Sequence, residues 1–215
     1  MFQFLLNALI AQNKVQEAQQ RLSQWQGSRP SALRSIEAYC LYKQNRFQEA
    51  LQVIRAAESG DDAVFAYIEA QVLYRLGQYS ESLAVYARLM SAQPPDSQAY
   101  AELYTNYMAV KSTMLLSRQH VSANAPELAA PSEMTFETMF NEACALIAKQ
   151  QWRKALALLQ ATERLCRNTL SKDEYSAEEI AEEVAPIQLQ TAYVLFRLGR
   201  SAEAAVILNA LQQQK

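Results

Sequence analysis

A chain of 215 residues, half of them hydrophobic, can bury a sizeable core as one domain or as one elongated array. Its net charge of −2 and pI near 5.6 leave no cationic excess to neutralise phosphates, so direct RNA or DNA binding is not expected. Three cysteines without close spacing (Cys40, Cys144, Cys166) argue for buried thiols in a reducing compartment and against a disulfide framework. The apolar opening FQFLLNALIA is too short to span a membrane and has neither a cationic start nor a cleavage site. The expectation is a soluble, cytoplasmic protein with no membrane insertion.

The interior is rich in Ala, Leu, Gln and Glu, and Val and Ile never alternate as a strand would require, so the fold class is all-α. Gly27, Gly60, Gly77 and Gly199 fall between apolar-periodic stretches. Pro30, Pro94, Pro95, Pro126, Pro131 and Pro186 are placed at edges as well. In chain order, FQFLLNALI starts a first helix, and NKVQEAQQRL a second one around Ala18. Ala38 sits on the next first helix, followed by a turn at Asn45 and NRFQEALQVI around Ala50. Ala70, the turn at Gly77 and GQYSESLAVY around Ser82 make the third pair. Residues 96–120 read as a further, eroded copy whose second helix has no turn signature. Residues 117–133, with Pro, Ser and Asn, read as a loop. Ala143, then QQWRKALALL around Ala155, form another pair. The acidic stretch 168–185 either extends a helix or connects elements. Ala192, Gly199 and GRSAEAAVIL around Ala204 close the series.

Ala18, Ala50 and Ser82 are spaced by 32 residues. A helix–turn–helix unit of about 34 residues is the length of the tetratricopeptide repeat, and the phrase resembles it. A small residue on each helix lets the two backbones approach. An aromatic two residues after the turn (Phe47, Tyr79, Trp152) fills the gap between paired helices. The expected architecture is an α-solenoid of about five to six helix pairs, one degenerate, forming a single domain over residues 1–215.

Catalytic signals are missing. The only histidine, His120, lies in the loop stretch, where a lone imidazole is a surface residue far more often than a catalyst. No cysteine has a partner at zinc-ligand spacing, and no phosphate-binding glycine motif is present. The cluster Glu178, Glu179, Glu182 and Glu183 reads as a solvated helix face. Neither an enzyme nor a cofactor is expected.

What remains is surface. In tetratricopeptide stacks the first helix of each pair lines the concave groove. Its inward positions here are Ser35, Tyr39, Tyr42 and Lys43; Tyr67, Gln71, Tyr74 and Arg75; Phe140, Cys144, Ile147 and Ala148; and Leu189, Tyr193, Phe196 and Arg197. Seven aromatic rings fall on that face at helical spacing. Tyr offers apolar area with little rotamer entropy and a polar tip, which suits a peptide-binding surface, although any single ring could equally pack against a neighbouring repeat. Lys43, Arg75 and Arg197 recur at first-helix ends, either complementing the helix dipole or forming a basic rim for an acidic peptide. Tyr100, Tyr104 and Tyr107 read as core.

The wording of the repeats is more specific than their length. VLYRLGQYSESLAVYARL, AELYTNYMAV and FNEACALIAKQQWRKALALLQATERLCRNTLSKDE resemble the family of the 72-kilodalton subunit of the eukaryotic signal recognition particle, over roughly residues 34–213. The resemblance implies an N-terminal repeat domain that binds a C-terminal segment of the 68-kilodalton subunit, in a particle that targets nascent proteins to the endoplasmic reticulum. The family's basic RNA-contacting region has no counterpart before the chain stops at LQQQK, so the expectation is the protein-binding module alone. Two other readings stay open. A co-chaperone adaptor would grip a terminal carboxylate, but Gln3, Asn7, Ser35 and Tyr39 make an incomplete clamp. A self-assembling scaffold would use the apolar first helix.

Overall fold

The computed structural model describes residues 2–57, 63–117 and 128–213, which hold eleven helices and, among the described residues, no strand. They divide into two compact units. Unit 1, Met1–Ala92, contains α1 (Phe2–Ala11), α2 (Val15–Ser23), α3 (Ser31–Lys43), α4 (Phe47–Arg55), α5 (Ala63–Arg75) and α6 (Tyr79–Ser91). Unit 2, Gln93–Lys215, contains α7 (Gln98–Leu116), α8 (Phe136–Ala148), α9 (Trp152–Lys172), α10 (Ala177–Arg197) and α11 (Ser201–Gln213). Each unit is a stack of tetratricopeptide-type helix pairs, the α-solenoid arrangement.

One turn is written five times. Asn13, Asn45, Gly77, Gln150 and Gly199 all have positive φ, between 56° and 77°, and each follows the first helix of a pair. The next residue then donates its backbone N–H back to a leucine carbonyl: Lys14 to Leu9, Arg46 to Leu41, Gln78 to Leu73, Gln151 to Leu146 and Arg200 to Leu195, all at 2.8–2.9 Å. This closure satisfies carbonyls that a helix end would otherwise leave open. It also starts the second helix at once, without a side-chain N-cap on α2, α4, α6 or α9. The acceptor is Leu each time, which ties the turn to a side chain that faces the core: Leu9, Leu41, Leu73 and Leu195 are all buried.

Close approach follows from the small residues. Ala18, Ala50, Ser82 and Ala155 are fully buried on the second helices, and Ala38, Ala70 and Ala143 are fully buried on the first. Ser82 shows how tight the crossing is, because its hydroxyl donates to the carbonyl of Ala70 at 2.7 Å. That bond satisfies a polar group buried from solvent. Around these crossings the larger side chains pack between pairs. Leu41, Leu51, Ile54, Phe65 and Leu73 join α3, α4 and α5, while Leu156, Leu159, Val184, Ile187 and Leu195 join α9 and α10.

Unit 2 departs from the regular alternation at α7. The Asn141 side-chain amide donates to the Thr105 carbonyl at 3.2 Å, the Tyr104 hydroxyl donates to Glu142 at 3.4 Å, and Leu115 and Leu116 line one cavity with Ile147 and Ala148. The start of α7 meets the chain ahead of α8 through Tyr100 and Ala129, and the ends of both helices line one cavity, so α7 and α8 run in the same direction, as successive first helices do. The eroded copy therefore supplies a first helix, and no second helix is found among the described residues of 117–135. The chain must still return to the start of α7. The Tyr100 hydroxyl marks that return by donating to the Ala129 carbonyl at 2.8 Å. Tyr100, Tyr104 and Tyr107 are buried, as expected, and burial followed by the Glu142 carboxylate pushes the Tyr104 hydroxyl up to about 12.

The acidic stretch is helical at both ends. It completes α9 and opens α10, each 21 residues long, around a capping box in which Ser176 accepts from the Glu179 backbone and Glu179 accepts from that of Ser176. These hydrogen bonds hold the Glu179 carboxyl below its ordinary range. Pro186 is a correction: it lies inside α10, not at an edge. A proline removes the donor for the carbonyl four residues earlier, here that of Glu182. Both residues are exposed, so water can serve that carbonyl. Gly60, Pro126 and His120 lie outside the described residues.

A Cβ placed on Gly77 (φ +75°) would meet nothing within 4 Å, so Gly77→Ala probes backbone strain alone. The expected loss is about 1 kcal/mol of unfolding free energy, read from denaturant midpoints. An unchanged midpoint would mean the turn relaxes out of the left-handed region.

Candidate peptide-binding groove

In unit 1 the first helices α1, α3 and α5 contact one another in succession, which places their inward positions on one face. There Tyr39, Tyr42, Tyr67 and Tyr74 are half-buried, as are Ser35 and Gln71, while Lys43 and Arg75 are exposed. The rings are engaged. Tyr42 sits 5.8 Å from Phe47, Tyr74 sits 5.8 Å from Tyr79, and Tyr67 meets buried Tyr86 edge-on at 6.4 Å. Burial first, then Tyr67, Tyr42 and Tyr74, push the Tyr86 hydroxyl well above its ordinary value. This face is a tyrosine cluster gathered around one buried phenol, with ring edges left for solvent.

In unit 2, α8 and α10 are the neighbouring first helices. Seven of their eight inward positions line one open cavity of about 780 Å³: Cys144, Ile147 and Ala148 from α8, and Leu189, Tyr193, Phe196 and Arg197 from α10. The eighth, Phe140, is half-buried and packs against the core of the unit. The cavity wall is apolar and exposed. Phe196 is 62% accessible, Leu189 52%, Leu116 50%, Tyr193 42% and Leu208 40%. Burial pushes the Cys144 thiol up to about 11, so it is protonated at neutral pH and behaves as part of the apolar wall. Leu115 and Leu116 of α7, Trp152 of α9 and Leu208 of α11 also line the cavity, and sequence reasoning missed them. Leu208 was the most accessible from sequence. It falls one helical turn after Ala204, on a helix whose only fully buried residue is that alanine.

The arginines at first-helix ends do a third thing that neither sequence reading included. The Arg197 guanidinium lies 4.4 Å from the centre of the Trp152 ring and 5.8 Å from that of Tyr193, and donates to the Tyr193 hydroxyl at 2.9 Å. Arg75 lies 4.8 Å from the centre of the Phe47 ring and donates to the Asn45 side chain at 3.3 Å. In both cases the cation of one pair stacks on the aromatic that opens the second helix of the pair before it. The clasp joins neighbouring repeats and is worth about 0.5–1 kcal/mol at an exposed site. Lys43 has no such partner because Val15 occupies the aromatic position.

Among the described residues no group of three or more His, Cys, Asp or Glu could hold a metal ion, and no helix is long and apolar enough to cross a membrane. Comparison with known proteins finds relatives. The human signal recognition particle subunit SRP72 is 37% identical over 133 residues, as is the dog protein, and the Caenorhabditis elegans subunit is 30% identical over 128. The chain is similar to SRP72. The matches cover about 60% of this chain and 19% of those proteins, so the chain spans about a fifth of the length of the curated relatives it matches. Residues 20–89 match the family model of anaphase-promoting complex, cyclosome, subunit 3. A solved structure, MamA 41-end from Desulfovibrio magneticus RS-1, aligns over 99% of this chain and 92% of its own, at 14% identity and a TM-score of 0.43. The SRP72 likeness agrees with the repeat wording read from the sequence.

A double-mutant cycle on Trp152→Leu and Arg197→Met should give a stability coupling of about 0.5–1 kcal/mol. Strict additivity in denaturant unfolding would show that the stacked pair does not join α9 to α10.

Proposed function

We propose that the chain is a protein-binding module of the signal recognition particle that holds a C-terminal segment of the 68-kilodalton subunit against its first-helix faces. In this role it is a cytoplasmic scaffold and not an enzyme, and it supports co-translational targeting to the endoplasmic reticulum. It needs no cofactor and makes no direct contact with RNA. The observation that carries the reading is the groove of unit 2. Five large apolar side chains that a free protein would rather bury stand together on one wall there, in a chain similar to SRP72. A preformed groove leaves most of the ordering cost to the peptide, and one well-buried ring in such a site contributes about 2 kcal/mol or more. The half-buried tyrosines Tyr39, Tyr42, Tyr67 and Tyr74, with Gln71, Lys43 and Arg75, offer a second contact face in unit 1. Phe140 serves by supporting α8 from the core.

Titration calorimetry of the chain with that segment, repeated with Phe196→Ala, Tyr67→Ala and Tyr74→Ala, tests the proposal. Phe196→Ala should weaken binding at least about tenfold, or about 1.4 kcal/mol, without altering the melting temperature. Tight binding unchanged by all three would keep the partner and move the site. No binding by folded protein would overturn the assignment.

A further inference from the structure

Among the described residues, the wall of the unit 2 groove contains a single charged side chain, Arg197, and no carboxylate. No acidic group lies in ion-pair reach of Arg197 among the described residues, whereas Arg200, three residues on, is paired with Glu203. The guanidinium is nonetheless fixed. Trp152 and Tyr193 stack on it, and the Tyr193 hydroxyl takes one of its five N–H donors. A guanidinium held over two rings at the wall of an open, largely apolar cavity is pre-organised for a bidentate acceptor. Arg75 in unit 1 is held differently, by the Phe47 ring and the Asn45 side-chain oxygen.

We infer that the groove of unit 2 recognises a protein segment in which an Asp or Glu side chain stands beside bulky apolar residues. The carboxylate pairs with Arg197 while the apolar neighbours cover Phe196, Leu189 and Leu208. This rests on the reading that the groove takes a protein segment, and it adds which chemistry selects that segment. The acceptor is a side-chain carboxylate and not a chain terminus. Arg197 is the one cation among the described lining residues, with Gln150, Gln190 and Ser201 as its neutral polar neighbours, which matches a single side-chain carboxylate. Charge complementarity therefore sets specificity, and the apolar wall sets residence time.

Selection of random peptides with amidated C-termini on the whole chain tests this without assuming a natural partner. Enriched sequences should carry an acidic residue flanked by Leu, Phe or Met. Their affinity should fall about tenfold both in Arg197→Gln and when the acid is changed to its amide, with no further loss when the two changes are combined. Arg197→Lys, which keeps the charge but not the fork, should recover only part of the affinity. Enriched peptides without an acid, peptides that bind Arg197→Gln unchanged, or no enrichment at all would overturn the inference. Failure of the 68-kilodalton segment to bind, alongside acidic apolar peptides that do, would instead fall on the proposed partner.

Discussion

Everything in both units depends on how closely paired helices can cross. Ala38 against Ala50, Ala70 against Ser82, and Ala143 against Ala155 leave no room for a larger side chain at the crossing. Interiors packed at crystal-like density transmit a change of one methylene, so these positions fix the geometry of each pair. The left-handed turns act one step earlier. By closing on Leu41, Leu73, Leu146 or Leu195, they set the rotation at which the second helix leaves, and that rotation brings the small residues face to face. Turn and crossing are thus one device, spelled out by about a dozen residues and repeated.

The device leaves the same side of each first helix available, and the two units use that side differently. In unit 1 it is filled by tyrosines that lean on one another around Tyr86. In unit 2 it stays open because α10 presents Leu189, Tyr193 and Phe196 to solvent, and because α7 lies along α8 as a parallel first helix. Parallel packing carries the end of α7 to the far end of α8, which is why Leu115 and Leu116 join the cavity wall.

Much of this was legible in the sequence. The turn residues, the small residues and the first-helix face follow from fixed spacings, because 3.6-residue periodicity and a rigid turn translate sequence position directly into direction. The environment of each exposed position was less legible. Tyr67 and Phe196 occupy comparable inward positions, yet one meets Tyr86 and the other meets solvent, and that depends on which side chain a different helix brings opposite. Arg197 lines the cavity with the other inward positions of α10, but its stacking on Trp152 involves two residues far apart in sequence. Pro186 was misread because the rule against proline in a helix weakens where the freed carbonyl faces water.

The central claim is that the open first-helix face of unit 2 is where this protein meets its partner. Backbone hydrogen exchange of the chain, with and without the 68-kilodalton segment, tests it most directly. The account predicts slowed exchange concentrated in α8, α10 and α11, with the outer surface of α9 unchanged. Protection confined to α9 or to α1 and α2, with α10 unaffected, would contradict it.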